Sequence, residues 1–270
     1  MRLILLTIFL VLFVGNTYTQ GWLPSGSRSM QMGNASSTLN DVWAYYNNPG
    51  ALADVDELSV GISYENRFLL KELQTQGLAV AIPIKVGVIS VGGHMYGYNQ
   101  FRSYKAGLGY SMKLSERFYT GVQMNYQGLS LNENYGSTNS LTAEAGLYAK
   151  FNDKWRLGVS IFNVGRTKLS DFEDDRFSTI MRLGSSYHFS EKVMVAVEVE
   201  KDLEHTPRIK SGIEYQVIEN LFVRGGFATS RTEMSFGFGY NFKVLQLDLG
   251  SSYDQILGWS PNFSLTYTRR

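Results

Sequence analysis

From Leu58 onward, hydrophobic and polar positions alternate with a period of two almost without interruption, the pattern of strands with one apolar and one polar face. Tyr104, Ala106, Leu108, Tyr110, Met112 and Leu114 alternate with Ser103, Lys105, Gly107, Gly109, Ser111 and Lys113. Phe118, Val122, Met124 and Tyr126 stand against Gly121, Gln123, Asn125 and Gln127, and Leu141, Ala143, Ala145, Leu147 and Ala149 against Thr142, Glu144, Gly146 and Lys150. Further on, Val193, Val195, Val197 and Val199 oppose Glu198 and Glu200, and Met234, Phe236, Phe238, Tyr240 and Phe242 oppose Ser235, Gly237, Gly239 and Asn241. Short turns at Ser115-Glu116, Asn152-Asp153, Ser190-Glu191 and Glu219-Asn220, with weaker ones near Lys85 and Lys243, punctuate the pattern. Between them lie longer polar stretches at 132–140, 165–176, 201–207 and 253–261. This predicts fourteen strands near 57–68, 74–84, 86–97, 102–114, 117–130, 138–151, 154–164, 177–189, 192–201, 207–218, 220–230, 232–243, 244–254 and 261–268.

An all-β chain with an even strand count and alternating tight turns and long loops reads as a transmembrane up-and-down antiparallel β-barrel, tight turns on the periplasmic side. Many predicted strands exceed the usual soluble length of about 5 to 6 residues and reach the roughly 9 to 11 that cross a bilayer at a tilt. Aromatics gather at strand ends as interface girdles do: Phe118, Tyr119, Trp155, Phe189 and Phe242 by the tight turns, Tyr98, Phe101, Tyr126, Phe177 and Trp259 by the long loops. The polar face carries mid-strand charges that the core of a soluble sandwich would leave unpaired. Folding about the turn at 218–219 sets Glu214 against Arg224, and folding about 190–191 sets Arg182 against Glu198, so opposite charges meet across the lumen wall. Inward glycines such as Gly121, Gly146, Gly158, Gly212 and Gly226 leave room for something to approach that wall, and at Gly239 a small side chain is expected to cost little.

What could approach it is residues 20–56, which do not alternate and are dense in turn formers and aromatics, Trp43, Tyr45 and Tyr46 among them. Ahead of this stretch, Arg2, an apolar run from Leu3 to Gly15 and the small residues Thr17 and Thr19 read as a signal peptide over 1–19. The expected division is therefore signal peptide 1–19, N-terminal hatch or plug 20–56 and barrel 57–270. Loss of Arg2 with the peptide balances the basic and acidic residues, which removes the electrostatic footprint of a nucleic-acid binder. With no Cys and three His, thiolate metal sites and Cys nucleophiles are excluded. No cofactor is expected. Asp171, Glu173, Asp174 and Asp175 in a long loop offer hard oxygens to Ca²⁺, but solvated loop charge is the simpler reading. Ser186 and His188 share the lumen face without an evident carboxylate, so the chain is read as non-enzymatic.

Three segments carry a resemblance. Ser27-Arg28-Ser29-Met30-Gln31-Met32-Gly33-Asn34-Ala35 resembles the G-A-R-S/A-x-x-M-G-G-A motif of FadL-like outer-membrane proteins and of their PorV/PorQ relatives in type IX secretion. Tyr46-Asn47-Asn48-Pro49-Gly50-Ala51-Leu52-Ala53 resembles their Y-x-N-P-A-G-L-A, with the Ala-Gly order inverted. The stretch from Leu257 to Tyr267 resembles the L-G-x-S-H-R-x-S-L-x-Y close of the PorV/PorQ group. The resemblance implies a barrel occluded by an N-terminal hatch with its Asn-Pro turn in the lumen, and hatch residues Arg28, Met32, Gly33, Trp43, Tyr46, Asn47, Asn48 and Pro49. It further implies a non-enzymatic accessory of type IX secretion or surface export in the outer membrane of a Gram-negative bacterium. The expected partners are outer-membrane lipid and secretion-machinery proteins or secreted cargo. The alternative is a FadL-like passage for small hydrophobic molecules.

Overall fold

The computed structural model describes residues 23–131, 136–168, 176–229 and 232–269. The expected signal peptide and the loop carboxylates Asp171, Glu173, Asp174 and Asp175 lie outside these residues. Among the described residues fourteen strands form one closed antiparallel barrel in which each strand pairs with its neighbours in sequence and the last with the first. They are β1 (Ser59–Asn66), β2 (Gln74–Ile84), β3 (Gly87–Tyr98), β4 (Phe101–Lys113), β5 (Phe118–Leu131), β6 (Ser137–Lys150) and β7 (Trp155–Phe162). The second half comprises β8 (Ile180–His188), β9 (Val193–Asp202), β10 (Arg208–Ile218), β11 (Leu221–Ala228), β12 (Glu233–Phe242), β13 (Leu245–Asp254) and β14 (Gly258–Thr268). Closure is in register from Ser59 opposite Thr268 to Glu65 opposite Asn262, which leaves no open sheet edge at the seam.

The alternation resolves into two faces. Leu108, Val122, Met124, Leu141, Leu183, Phe236 and Phe238 point outward and are exposed, whereas Lys105, Gln123, Glu144, Arg182, Glu198 and Asp248 on the opposite faces are buried. A protein exposed to water would be inverted; lipid takes the apolar side, and ladder bonds around a closed ring satisfy the backbone. Girdles bracket this surface, Phe118, Phe151, Trp155, Phe189 and Phe242 at the tight-turn end and Tyr98, Tyr126 and Trp259 at the other. Three residues expected in the girdles do not join them. Phe101, on the same face of β4 as Lys105, is half-buried edge-on against the buried Tyr96 at 6.3 Å. Tyr119 is buried against Tyr148, their ring centroids 5.5 Å apart, because its neighbour Phe118 already takes the outward position. Phe177 is buried because residues 177–179, just ahead of β8, turn inward. Asn163 turns the chain out of β7 with φ 55°, its amide donates to the Phe177 carbonyl at 2.8 Å, and Thr179 Oγ1 donates back to the Asn163 carbonyl at 3.1 Å. For this reason β7 and β8 are shorter than alternation predicts.

The stretch 253–261, expected as a long loop, is a tight hairpin with Asp254 opposite Gly258. Asp254 Oδ1 accepts from the amides of Ile256 and Leu257 at 2.8 and 2.9 Å, and Gly258 takes φ 91°. Pro261 therefore lies within β14 rather than starting it.

The barrel is filled. Residues from Leu23 to Val55 run inside it, almost all buried, as two short helices, α1 (Ser27–Gln31) and α2 (Ala44–Asn47), and a 3-10 turn at Pro49–Asp54. Val42, Trp43, Tyr45, Tyr46, Ala51, Leu52 and Val55 pack with Ala79, Ala81, Val88, Tyr119 and Tyr148 from the wall. A second cluster joins Met32, Ala35 and Leu39 to Met194 and Ala196.

Candidate functional site

The candidate site is the contact between this inner segment and the lumen wall. It is built from three layers of residues: glycines that thin the wall, carbonyls and hydroxyls that bond the segment's backbone, and a network of buried charges.

At Gly33 and Asn34 the chain turns through two left-handed residues, with φ 63° and 59°. A Cβ on Gly33 would lie 2.7 Å from the Phe227 amide nitrogen and 2.9 Å from the Ser211 carbonyl oxygen, so the motif glycine answers both to backbone conformation and to contact with β10 and β11. The neighbouring Met32 backbone lies against Gly212 and Gly226. Gly33 N donates to Ser235 Oγ at 2.9 Å, and that hydroxyl donates to the Gln31 carbonyl at 3.0 Å.

On the opposite wall the Asn-Pro turn rests on β4, β5, β6 and β7. Asn48 Nδ2 donates to the carbonyls of Ser37 at 2.7 Å and Leu147 at 3.0 Å, while its Oδ1 accepts from Gly50 N at 3.0 Å. Ser111 Oγ donates to the Pro49 carbonyl at 2.7 Å and Ser160 Oγ to the Asn47 carbonyl at 3.1 Å. A Cβ at Gly121 would strike the Pro49 carbonyl, and one at Gly146 would strike Asn48 Oδ1. The inverted order of Gly50 and Ala51 has its reason here: a Cβ on residue 50 would sit 2.7 Å from the Gly146 carbonyl, whereas Ala51 is accommodated fully buried.

Between these two contacts lie the aromatics. Tyr45 and Tyr46 meet edge to face with centroids 4.8 Å apart. Tyr45 Oη donates to the Gly92 carbonyl at 2.9 Å, and Tyr46 Oη reaches the carbonyls of Leu78 at 2.8 Å and Gly93 at 2.5 Å. Burial pushes both phenols well above their ordinary range, which keeps them neutral donors. Trp43 Nε1 donates to Thr266 Oγ1 at 3.2 Å.

The charges form two clusters. Glu214 accepts Arg28 through both oxygens, from Nη2 at 2.7 Å and Nε at 2.8 Å, and also accepts Arg224 Nε at 2.5 Å. Arg28 continues to Asp41 at 3.0 Å, and Arg224 to Asp248 at 2.6 Å and Gln31 Oε1 at 3.0 Å. Glu214 and Arg224 are directly opposite in the β10–β11 ladder, as folding about that turn implies. The second expected pair is shifted. Arg182 stands opposite Glu200, with Nε to Oε2 at 3.1 Å, and Glu198 stands opposite Gly184. The β8–β9 turn leaves five residues between the last pair, His188 and Met194, so the fold point is residue 191, one residue later than a pairing of Arg182 with Glu198 requires. Glu198 instead accepts the amides of Ser36 at 3.0 Å and Ser37 at 2.8 Å, and Lys210 at 3.2 Å. Arg182 Nη1 donates to the Asn47 carbonyl at 2.9 Å. Lys105 and Glu144, which alternation already sets on the polar face, pair at 2.5 Å; that pairing and the roles of Lys210, Asp248 and Asp41 are not evident from sequence, although strand parity sets Lys210 and Asp248 inward. Gly239 also departs from expectation, because a Cβ there would press on the Arg224 guanidinium and Asp248.

Ser186 is buried in the wall, and His188 Nδ1 lies 3.3 Å from the Lys154 carbonyl at the tight-turn end. No Asp or Glu is hydrogen-bonded to His188 among the described residues.

No protein-family model matches the chain, and no curated protein matches it. Solved structures do. A deletion mutant of the TodX monoaromatic hydrocarbon channel superposes with a TM-score of 0.71 at 14% identity, over 91% of this chain and 98% of that one. The architecture is that of the FadL-like outer-membrane channels. The toluene transporter TbuX of Ralstonia pickettii matches with a TM-score of 0.67 at 12% identity, over 91% and 98% of the two chains. A FadL homologue of Pseudomonas aeruginosa matches at 0.63 and 14%, over 93% and 99%. The strands from Ser59 to Thr268, with their connections, occupy 210 of the 270 residues, so a FadL-like match over 91% of the chain takes in N-terminal residues besides the barrel.

Proposed function

We propose that this protein is an outer-membrane passage for small hydrophobic molecules that rests closed, with residues 23–56 as its plug. The observation that carries the reading is that the FadL-like likeness to hydrocarbon channels runs through the barrel and into its N-terminal residues, while those same residues fill the lumen. Outside this chain the surface is that of a lipid-bound barrel of a Gram-negative outer membrane; inside, Arg28, Met32, Gly33, Trp43, Tyr46, Asn47, Asn48 and Pro49 hold the plug to the wall. The test has two parts. In planar bilayers the intact protein should pass little steady current, and deletion of Asp41 to Ala53 should open it or prevent assembly. In cells, loss of the protein should slow entry of toluene from the medium. Porin-like current from the intact protein, unaltered by the deletion, removes the plug; unchanged toluene entry removes the passage.

A second reading is an accessory barrel of type IX secretion that binds secretion partners or cargo. It is supported by the PorV/PorQ-like stretch from Leu257 to Tyr267, of which Trp259 and Phe263 face lipid and Asn262, Ser264 and Thr266 face the plug. Comparison of secreted proteins between a deletion strain and its parent separates it from the first: an altered secretome with normal toluene entry selects the accessory.

A further inference from the structure

We propose that the tight-turn rim of β5, β6 and β7 binds a membrane phospholipid through its phosphate. Three adjacent pairs of residues define the place: Arg117 with Phe118, Lys150 with Phe151, and Arg156 with Trp155. They are neighbours across three strands, since Lys150 N donates to the Arg117 carbonyl at 2.9 Å and Lys150 stands directly opposite Arg156 in the ladder. The aromatic members face lipid and touch one another, Phe118 to Phe151 with centroids 6.5 Å apart and Phe151 to Trp155 at 5.4 Å. The cationic members crowd the inner lip.

Like charges directly opposite in a ladder repel, and of these three cations only Lys150 is in an ion pair among the described residues. Among the described residues Lys150 pairs with Asp54 at 2.5 Å, whereas Arg156 is in no ion pair and donates to the neutral Asn40 Oδ1 at 3.4 Å beside the Tyr148 phenol, and the Arg117 side chain is in no ion pair or hydrogen bond. Lys113 adds to the excess, because its Nζ and that of Lys150 lie 5.9 and 5.6 Å from the centre of the same Tyr119 ring. Of the carboxylates nearby, Asp54 is taken by Lys150 and Asn40, and Asp56, Glu116 and Asp153 are exposed, where water screens them.

A cavity of about 490 Å³ opens among Glu116, Arg117, Lys150, Phe151, Asn152, Asp153 and Arg156. Because all three strands end at this level, no wall separates the inner cations from the outer aromatics. One molecule can therefore touch both. An anionic head within reach of Arg117, Lys150 and Arg156, continuous with chains lying over Phe118, Phe151 and Trp155, is the chemistry of a phospholipid in the leaflet on the tight-turn side.

Native mass spectrometry of the detergent-solubilised barrel, offered phosphatidylglycerol, tests this. The wild type should retain one lipid more firmly than the rest, and Arg117→Gln should lower its occupancy about fivefold, the effect of one basic residue near a membrane surface. Diacylglycerol, with chains and no phosphate, should not compete, and excess inorganic phosphate should not displace the lipid. The proposal is overturned if Arg117→Gln retains lipid like the wild type, if diacylglycerol competes equally, or if inorganic phosphate alone empties the site. The Arg117 side chain is exposed and makes no hydrogen bond or ion pair among the described residues, so heat-modifiable migration should be unaltered and fold loss will not imitate the effect.

Discussion

Glu214 holds two arginines, one from the inner segment and one from the wall, and this makes it the residue on which the lumen's electrostatics turn. Removing it leaves the buried Arg224 and the half-buried Arg28 with one anion each, Asp248 and Asp41, and breaking a buried pair in this way costs about 3–5 kcal/mol. Glu214→Ala should lower unfolding stability in urea by that amount, whereas Glu219→Ala on the exposed turn should change it by less than about 0.5 kcal/mol. Glycines divide in the same manner. A Cβ at Gly121 meets the Pro49 carbonyl, a backbone atom with little freedom to retreat, while one at Gly225 finds its nearest neighbour at 3.8 Å. Gly121→Ala should therefore destabilise by about 1–3 kcal/mol, as overpacking does, and Gly225→Ala should be neutral or slightly stabilising; thermal melts of the two variants side by side decide it.

Along one strand, facing decides the consequence of a substitution. Phe238 lies mid-strand in β12 on the lipid side, between Val223 and Leu249, and Phe238→Arg should cost about 2–4 kcal/mol, read as a shift in the urea midpoint of the folded fraction in lipid vesicles. Gly239→Ser should also cost stability, through the Arg224–Asp248 pair, although a barrel with an open lumen would tolerate it. What sequence discloses at this scale follows from period two: the parity of each strand, and with it the outward face, is set locally by every second residue. The length of a connection is not set in this way. The 253–261 stretch looks like a loop because it is polar and contains Pro261, yet one side chain, Asp254, caps the turn and tightens it. Residues 177–179 ahead of β8 are held inward by bonds to Asn163, 14 to 16 positions earlier, which no local pattern reveals. Moving the fold point of the β8–β9 turn by one residue was enough to transfer the partner of Arg182 from Glu198 to Glu200.

At the scale of the whole molecule, the segment nearest the beginning of the described chain is bonded to the strands nearest its end. Ser27 meets Asn262 and Ser264, Trp43 meets Thr266, and Gln31 meets Arg224, contacts that span roughly two hundred residues or more. The composition of residues 20–56 could say that they pack against something, but partners so distant could not be read from either stretch alone. The same arrangement has a consequence for assembly. Contacts of such long span are slow to form, and the seam between β1 and β14 joins the first strand to the last. A segment bonded to β10–β14 on one side and β2–β7 on the other cannot thread into a cylinder already sealed; it has to be in place as the cylinder seals. With Trp22, Trp155 and Trp259 replaced by Phe, the fluorescence of Trp43 should change during refolding into micelles in the same slow phase in which heat-modifiable migration appears. Two separate phases would show that the cylinder seals first and is filled afterwards. A single shared phase makes sealing and filling one event, with the inner segment as the mandrel around which the cylinder closes.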